Sequence, residues 1–106
     1  MNRFFIKNRF KQYSITNDRD KLMFIIGVLN KEMSMRYPIY NPNFVFSSKN
    51  SIKRAVLKTI DLIMQHKLNE VNVEALEIVS KLMLKIDTFE FDKNAVNKYF
   101  SLGLSV

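Results

Sequence analysis

Residues 49–67 read KNSIKRAVLKTIDLIMQHK. At 100° per residue, Ile52, Val56, Ile60 and Ile63 form a central stripe, and Ala55, Leu57, Leu62 and Met64 widen it to about 220°. An apolar face this broad needs cover from more than one side. The reading makes this segment the central helix of the fold, capped by Ser47 or Ser48. It leaves a narrow solvent face of Arg54, Lys58, Asp61 and Gln65.

The stretch before it, YPIYNPNFVFS at residues 37–47, is a connection. Pro38 and Pro42 prevent a continuous helix and push Tyr37 and Asn41 toward extended backbone. Its four aromatics, Tyr37, Tyr40, Phe44 and Phe46, are more than a solvated loop ordinarily carries. Residues 18–36 form another helix, with Thr16 or Asn17 as its cap and Asp18 and Asp20 in the first turn, where the helix dipole favours acids. Leu22, Ile25, Ile26, Val28, Leu29 and Met33 fall on an arc of about 160°. Gly27 falls opposite, which places it on the solvent side as a mild helix weakener and not as a close-packing notch.

After the central segment, residues 73–86 predict a helix with Asn72 as cap and Val71 and Leu76 at the spacing of a hydrophobic staple. Ala75, Leu76, Ile78, Val79, Leu82, Met83 and Ile86 share one face; Glu74, Glu77, Lys81 and Lys85 share the other, with Glu77 and Lys81 a supportive i,i+4 pair. Residues 93–101 predict a short helix capped by Asp92, with Phe91 and Val96 repeating the staple spacing. Gly103 is expected to end it and leave a small apolar tail. Residues 1–16 are basic and aromatic, and periodicity does not decide between strand, helix and arm. The expected fold is all-α, a small helical bundle forming a single domain over residues 1–106, with three main helices and a short C-terminal one.

Composition excludes several function classes. The chain has 106 residues, 47% of them hydrophobic, which suits one packed domain. Cysteine is absent and there is a single histidine, so disulfides, thiolate metal sites, cysteine nucleophiles and a multi-histidine metal site within one chain are ruled out. Two glycines leave no phosphate-cradling loop. His66 has no acid or nucleophile at a telling spacing, and a place near a helix C-terminus accounts for it. Asp87, Glu90 and Asp92 do not match a calcium-binding loop and read as turn and cap residues. The expectation is no catalytic residue, no metal and no cofactor. The longest apolar run, Leu22–Leu29, is far below the roughly 20 residues of a membrane span, and no targeting segment stands out, so cytoplasmic residence is expected.

Charge is distributed unevenly. The net charge is +7, with +9 up to Lys67 and −2 beyond it. Arg3, Lys7, Arg9 and Lys11, interleaved with aromatics, and Arg54 and Lys58 with the neighbouring Lys49 and Lys53, are candidate contacts for an anionic partner. Codon usage is a competing source of that charge. Phe, Tyr, Met, Ile, Asn and Lys fill 52 of the 106 positions against 12 for Gly, Ala, Arg and Pro, the signature of an AT-rich gene. A helix-turn-helix reading of residues 49–86 fails, because Glu70, Glu74 and Glu77 would face the phosphate-lined groove. Apolar surface is in surplus: the aromatic connection, Met23, Phe24, Met35, Val73, Leu84, Leu102, Leu104 and Val106 exceed the needs of one small core. Tyr37, Tyr40, Phe44, Phe46, Val73 and Leu84 are therefore the candidate interface. The expected function is a non-enzymatic protein-binding module of phage or mobile-element type that modulates a partner by occluding its surface. The alternative is a nucleic-acid-binding regulator using the basic N-terminal half. Self-association is compatible with either.

Overall fold

The computed structural model describes the backbone of residues 5–66 and 73–106, and the side chains of 6–65 and 73–106. The elements are α1 (Phe5–Gln12), α2 (Asp18–Arg36), α3 (Lys49–His66), α4 (Val73–Met83), a 3-10 turn at Ile86–Thr88 and α5 (Lys93–Ser105). The described residues are all helix, turn and loop, as the apolar periodicities require. Among the described residues the helices differ from expectation by the addition of α1, and the C-terminal helix is longer than expected.

Caps fix the helix starts. Asn17 accepts the backbone N–H of Asp20 at 2.9 Å and begins α2. Ser48 Oγ accepts the N–H of Ser51 at 3.2 Å, and Ser51 Oγ accepts the N–H of Ser48 at 3.1 Å, a reciprocal box at the start of α3. Asp92 accepts from Ala95 N–H at 3.1 Å and begins α5. The expected Asn72 cap, the Val71 half of its staple, Glu70, Lys67, Arg3 and the His66 side chain lie outside the described residues.

The central helix is α2, not α3. Leu22 through Asn30 are buried without interruption, so α2 has no solvent face over about two and a half turns. By contrast α3 buries one stripe, Ile52, Ala55, Val56, Thr59 and Ile63, while Ile60 is half-buried and Leu57 and Met64 are exposed. The side of α2 taken for solvent carries Met23, Phe24 and Gly27, all buried. Met23 and Phe24 are thus core and not surplus surface.

Gly27 is the reason α5 fits there. A Cβ at Gly27 would overlap the Phe100 carbonyl oxygen and lie 2.9 Å from Gly103 Cα and 3.0 Å from Leu104 N. A Cβ at Gly103 would overlap the Phe24 carbonyl oxygen and lie 2.9 Å from Gly27 Cα. Gly27 is therefore a close-packing notch, correcting the sequence reading. Gly103 likewise does not end a helix. It lies inside α5, which runs to Ser105, because a residue without a side chain is required at the crossing. Lys31 Nζ donates to the Leu104 carbonyl at 3.2 Å and Arg19 to the Glu90 carbonyl at 3.1 Å, tying α2 to both ends of the α5 region. Leu102, Leu104 and Val106, read from sequence as a tail, pack against the core.

In α4 the helix stops at Met83, three residues short of the expected Ile86. The Lys85 N–H turns back to the Leu82 carbonyl at 3.0 Å, and the 3-10 turn that follows buries Ile86.

Candidate functional site

Residues 5–12 form a helix because Ile6 and Phe10, one turn apart, are buried, and Phe10 packs edge-on to Phe24 of α2 at 5.9 Å between ring centroids. Tyr13 meets the same ring at 5.9 Å. The helix closes with a Schellman turn. Ile15 N–H donates to the Phe10 carbonyl at 2.8 Å and Ser14 N–H to the Lys11 carbonyl at 3.2 Å, with Ser14 at φ 55°. Buried Ile15 sits beside Phe10 in the chain's turn, as that motif favours.

Between α1 and α4 lies a groove of about 830 Å³, continued by the α1–α2 turn. From the α1 side, Lys7, Phe10, Lys11 and Ser14 line it; from the α4 side, Ile78, Lys81, Leu82 and Lys85 do. Lys7, Phe10 and Lys11, like Ile78, Lys81 and Leu82, follow the i, i+3, i+4 spacing of one helical face, and Ser14 and Lys85 lie in the turns just past the two helix ends. Ile15, Thr16, Asp18 and Lys21 complete the lining. Among the described residues the floor is therefore Phe10, Ile15, Ile78 and Leu82, and the rim carries five lysines against one aspartate. Lys85 pairs with Asp18 at 3.3 Å, and Lys7 lies 4.0 Å from Glu74. Lys21 Nζ sits over the Phe10 ring, 5.4 Å from its centroid. Among the described residues, Lys11 and Lys81 are exposed and enter no ion pair.

Of the residues singled out from sequence for an anionic partner, the groove gathers Lys7 and Lys11. Arg9 turns aside to Gln12, at 3.0 Å. On α3, Arg54 and Lys58 are exposed, Lys58 over the Phe44 ring at 5.9 Å, and neither lines the groove. Lys49 and Lys53 are engaged at Asp87, each at 3.0 Å. Lys21, Lys81 and Lys85 are the groove residues that sequence reasoning missed. Lys81 and Lys85 lie in the acidic half of the chain, and only their spacing around Ile78 and Leu82 hints at a shared edge with α1.

The candidate interface residues divide. Phe46 is buried, and Phe44, Phe46 and Phe100 form an aromatic cluster with centroids 5.0–6.1 Å apart. Asn97 holds the connection in place by accepting Phe46 N–H at 3.1 Å and donating to the Phe46 carbonyl at 3.0 Å. Tyr37, Tyr40 and Phe44 are half-buried against the core. Val73 and Leu84 are exposed, Leu84 at 88%. Leu57, Met64, Met35, Ile39 and Val45 are exposed apolar residues as well.

Tyr40 belongs to a polar network inside the bundle. Its hydroxyl donates to Asn30 Oδ1. Asn30, fully buried on α2, donates to the Ile26 carbonyl at 2.8 Å and to Thr59 Oγ1 at 3.0 Å, and Thr59 donates to the Ala55 carbonyl at 2.7 Å. The Asn30 amide is thus satisfied at both ends, which lets a polar side chain occupy the core. Burial pushes the Tyr40 phenol above its ordinary range, because the phenolate would lose hydration.

Among the described residues no group of three or more metal-ligating side chains converges, and no helix is long and apolar enough to cross a membrane. Asp92 serves as a cap and Asp87 as an ion-pair partner, which gives these turn acids structural work. Comparison with protein-family models, curated proteins and solved structures finds no match.

Proposed function

We propose that this chain is a small non-enzymatic protein-binding module that modulates a partner by covering part of its surface. The observation that carries the reading is the groove between α1 and α4, an apolar floor ringed by lysines. Apolar contact supplies adhesion, and the basic rim speeds encounter with an acidic partner. The AT-rich residue usage fits an accessory or interference protein of a phage or mobile element, acting in the cytoplasm as an inhibitor by occlusion.

Nucleic-acid binding is the competing reading, since the same lysines would neutralise phosphates. The two differ in salt dependence. A protein interface anchored by apolar contact associates more slowly as salt rises while its dissociation rate stays nearly constant. Phosphate-driven binding instead loses affinity with a log–log slope of about −0.9 per neutralised phosphate on duplex DNA. Binding kinetics with a partner recovered by affinity capture, and mobility shifts with duplex DNA, at about 50 and 200 mM salt cover the range where that loss is steep. The expected result is salt-sensitive association, salt-insensitive dissociation and no tight DNA complex. Tight, sequence-dependent DNA binding at the higher salt overturns the proposal.

A further inference from the structure

We infer that the occupant of the α1–α4 groove is an acidic amphipathic helix of the partner, laid between the two walls. The inference rests on the protein-binding reading and specifies its site.

Three observations carry it. The first is register. Lys7, Phe10 and Lys11 on α1 and Ile78, Lys81 and Leu82 on α4 repeat the same i, i+3, i+4 spacing, each about 6 Å long at the helical rise of 1.5 Å per residue, and Ser14 and Lys85 continue the two walls past the helix ends. Two rows with that shared spacing, extended by the turns that follow them, make a trough that one to two turns of a third helix fill, in the helix-in-groove manner. The second is the floor. Ile15, Ile78 and Leu82 are aliphatic, which suits leucine or isoleucine anchors at i, i+3 or i+4, and i+7. The floor's aromatic ring, Phe10, has its face under the Lys21 ammonium and its ring set edge-on to Phe24. It offers no platform for a stacked base, which single-stranded nucleic acid would need. The third is charge. Lys11 stands on the α1 wall and Lys81 on the α4 wall, both exposed and outside the ion pairs that engage Lys7 and Lys85. An amphipathic helix with leucines facing the floor and glutamates along both flanks would meet one of these lysines on each side.

The test is an NMR titration of the full ¹⁵N-labelled chain. The probe is a lactam-bridged 15-residue helix, with leucines along one face and glutamates flanking them; the control probe carries lysines in place of those glutamates. The glutamate helix is expected to shift the amides of Phe10, Ile15, Ile78 and Leu82 saturably, and the lysine helix is not. The double variant Lys11→Glu, Lys81→Glu should weaken binding by about tenfold or more, the scale of losing two close charge pairs. Arg54→Glu with Lys58→Glu changes the net charge equally on α3 and should leave the affinity near that of the unaltered chain. All four positions are exposed, so both variants keep the fold.

Absence of saturable shifts at the floor residues overturns the inference. So does equal binding of the lysine helix, equal weakening by the two double variants, or displacement of the same amides by duplex DNA or by dodecyl sulfate in preference to the helix. A partner protein that binds the Lys11→Glu, Lys81→Glu variant as well as the unaltered chain removes the groove from the interface while leaving the protein-binding reading standing. Salt-resistant, sequence-dependent DNA binding removes that reading itself.

Discussion

Gly27 of α2 and Gly103 of α5 face each other across a helix crossing so close that a Cβ on either would lie 2.9 Å from the Cα of the other. Backbone atoms, not flexible side-chain ends, form the far side of each notch, so neither can yield without separating the helices. Gly27→Ala and Gly103→Ala should each destabilise by about 1–3 kcal/mol, the usual cost of overpacking. The expected sign opposes helix propensity, which favours alanine over glycine by about 1 kcal/mol. Thermal unfolding reads it directly. A raised midpoint in either variant would show that the helices separate at little cost.

Tyr40 ties the connection to α2 through Asn30. Tyr40→Phe leaves the buried Asn30 carbonyl oxygen without its donor and should cost about 1–3 kcal/mol at neutral pH. The raised phenol pKa adds a pH signature. Above about pH 10 the unfolded chain ionises this tyrosine while the folded chain still holds the proton. Protonation of the folded state alone then favours unfolding as pH rises, so stability is complete below that range and declines through it. The gap between the unaltered chain and Tyr40→Phe should narrow in denaturant titrations from about pH 8 to 11. A gap that widens instead contradicts this account.

The exchange of roles between α2 and α3 has a mutational consequence. Ile26 is 1% exposed, whereas Ile60, one of the four residues of the central stripe read from the sequence, is half-buried. Ile26→Ala should cost about 2–5 kcal/mol, as for other fully packed aliphatic residues, and Ile60→Ala visibly less. Chemical denaturation of the two variants gives the order; equal losses would return α3 to the centre.

Asp92→Ala removes the acceptor for Ala95 N–H and should lower stability by about 0.5–2 kcal/mol. Because α5 carries half of the glycine crossing, hydrogen exchange should also speed along its first turn. Unchanged protection at Ala95 and Val96 would mean that the cap is dispensable.

Val73 opens α4 and Leu84 follows its last residue, both exposed. Val73→Lys with Leu84→Lys should leave the unfolding free energy within about 0.5 kcal/mol per site, as at ordinary surface positions. The double variant should also lower any self-association measured by sedimentation. Loss of the cooperative transition would place these side chains in the core.

The sequence by itself determined the all-α class and most helix starts. Period-3.6 apolar spacing reports a buried stripe whatever covers it, and Asn17, Ser48 and Asp92 announce their helices by chemistry local to a few residues. Such signals need no knowledge of the rest of the chain. What only the tertiary structure decided is which helix lies at the centre and where the basic groove forms. A glycine contributes almost nothing to a hydropathy pattern, so Gly27, opposite the apolar stripe of α2, read as solvent face when it was the seat of α5. Asn30 carries no sequence signal of burial, and it is the tertiary structure that brings Tyr40 and Thr59 to it as partners. Lys11 and Lys81 belong to oppositely charged parts of the chain, and only the placement of α1 and α4 about one trough sets them on facing walls. Local sequence fixes what each segment can bury. Which burials are realised together depends on how closely two backbones approach, and that is a property of pairs of helices.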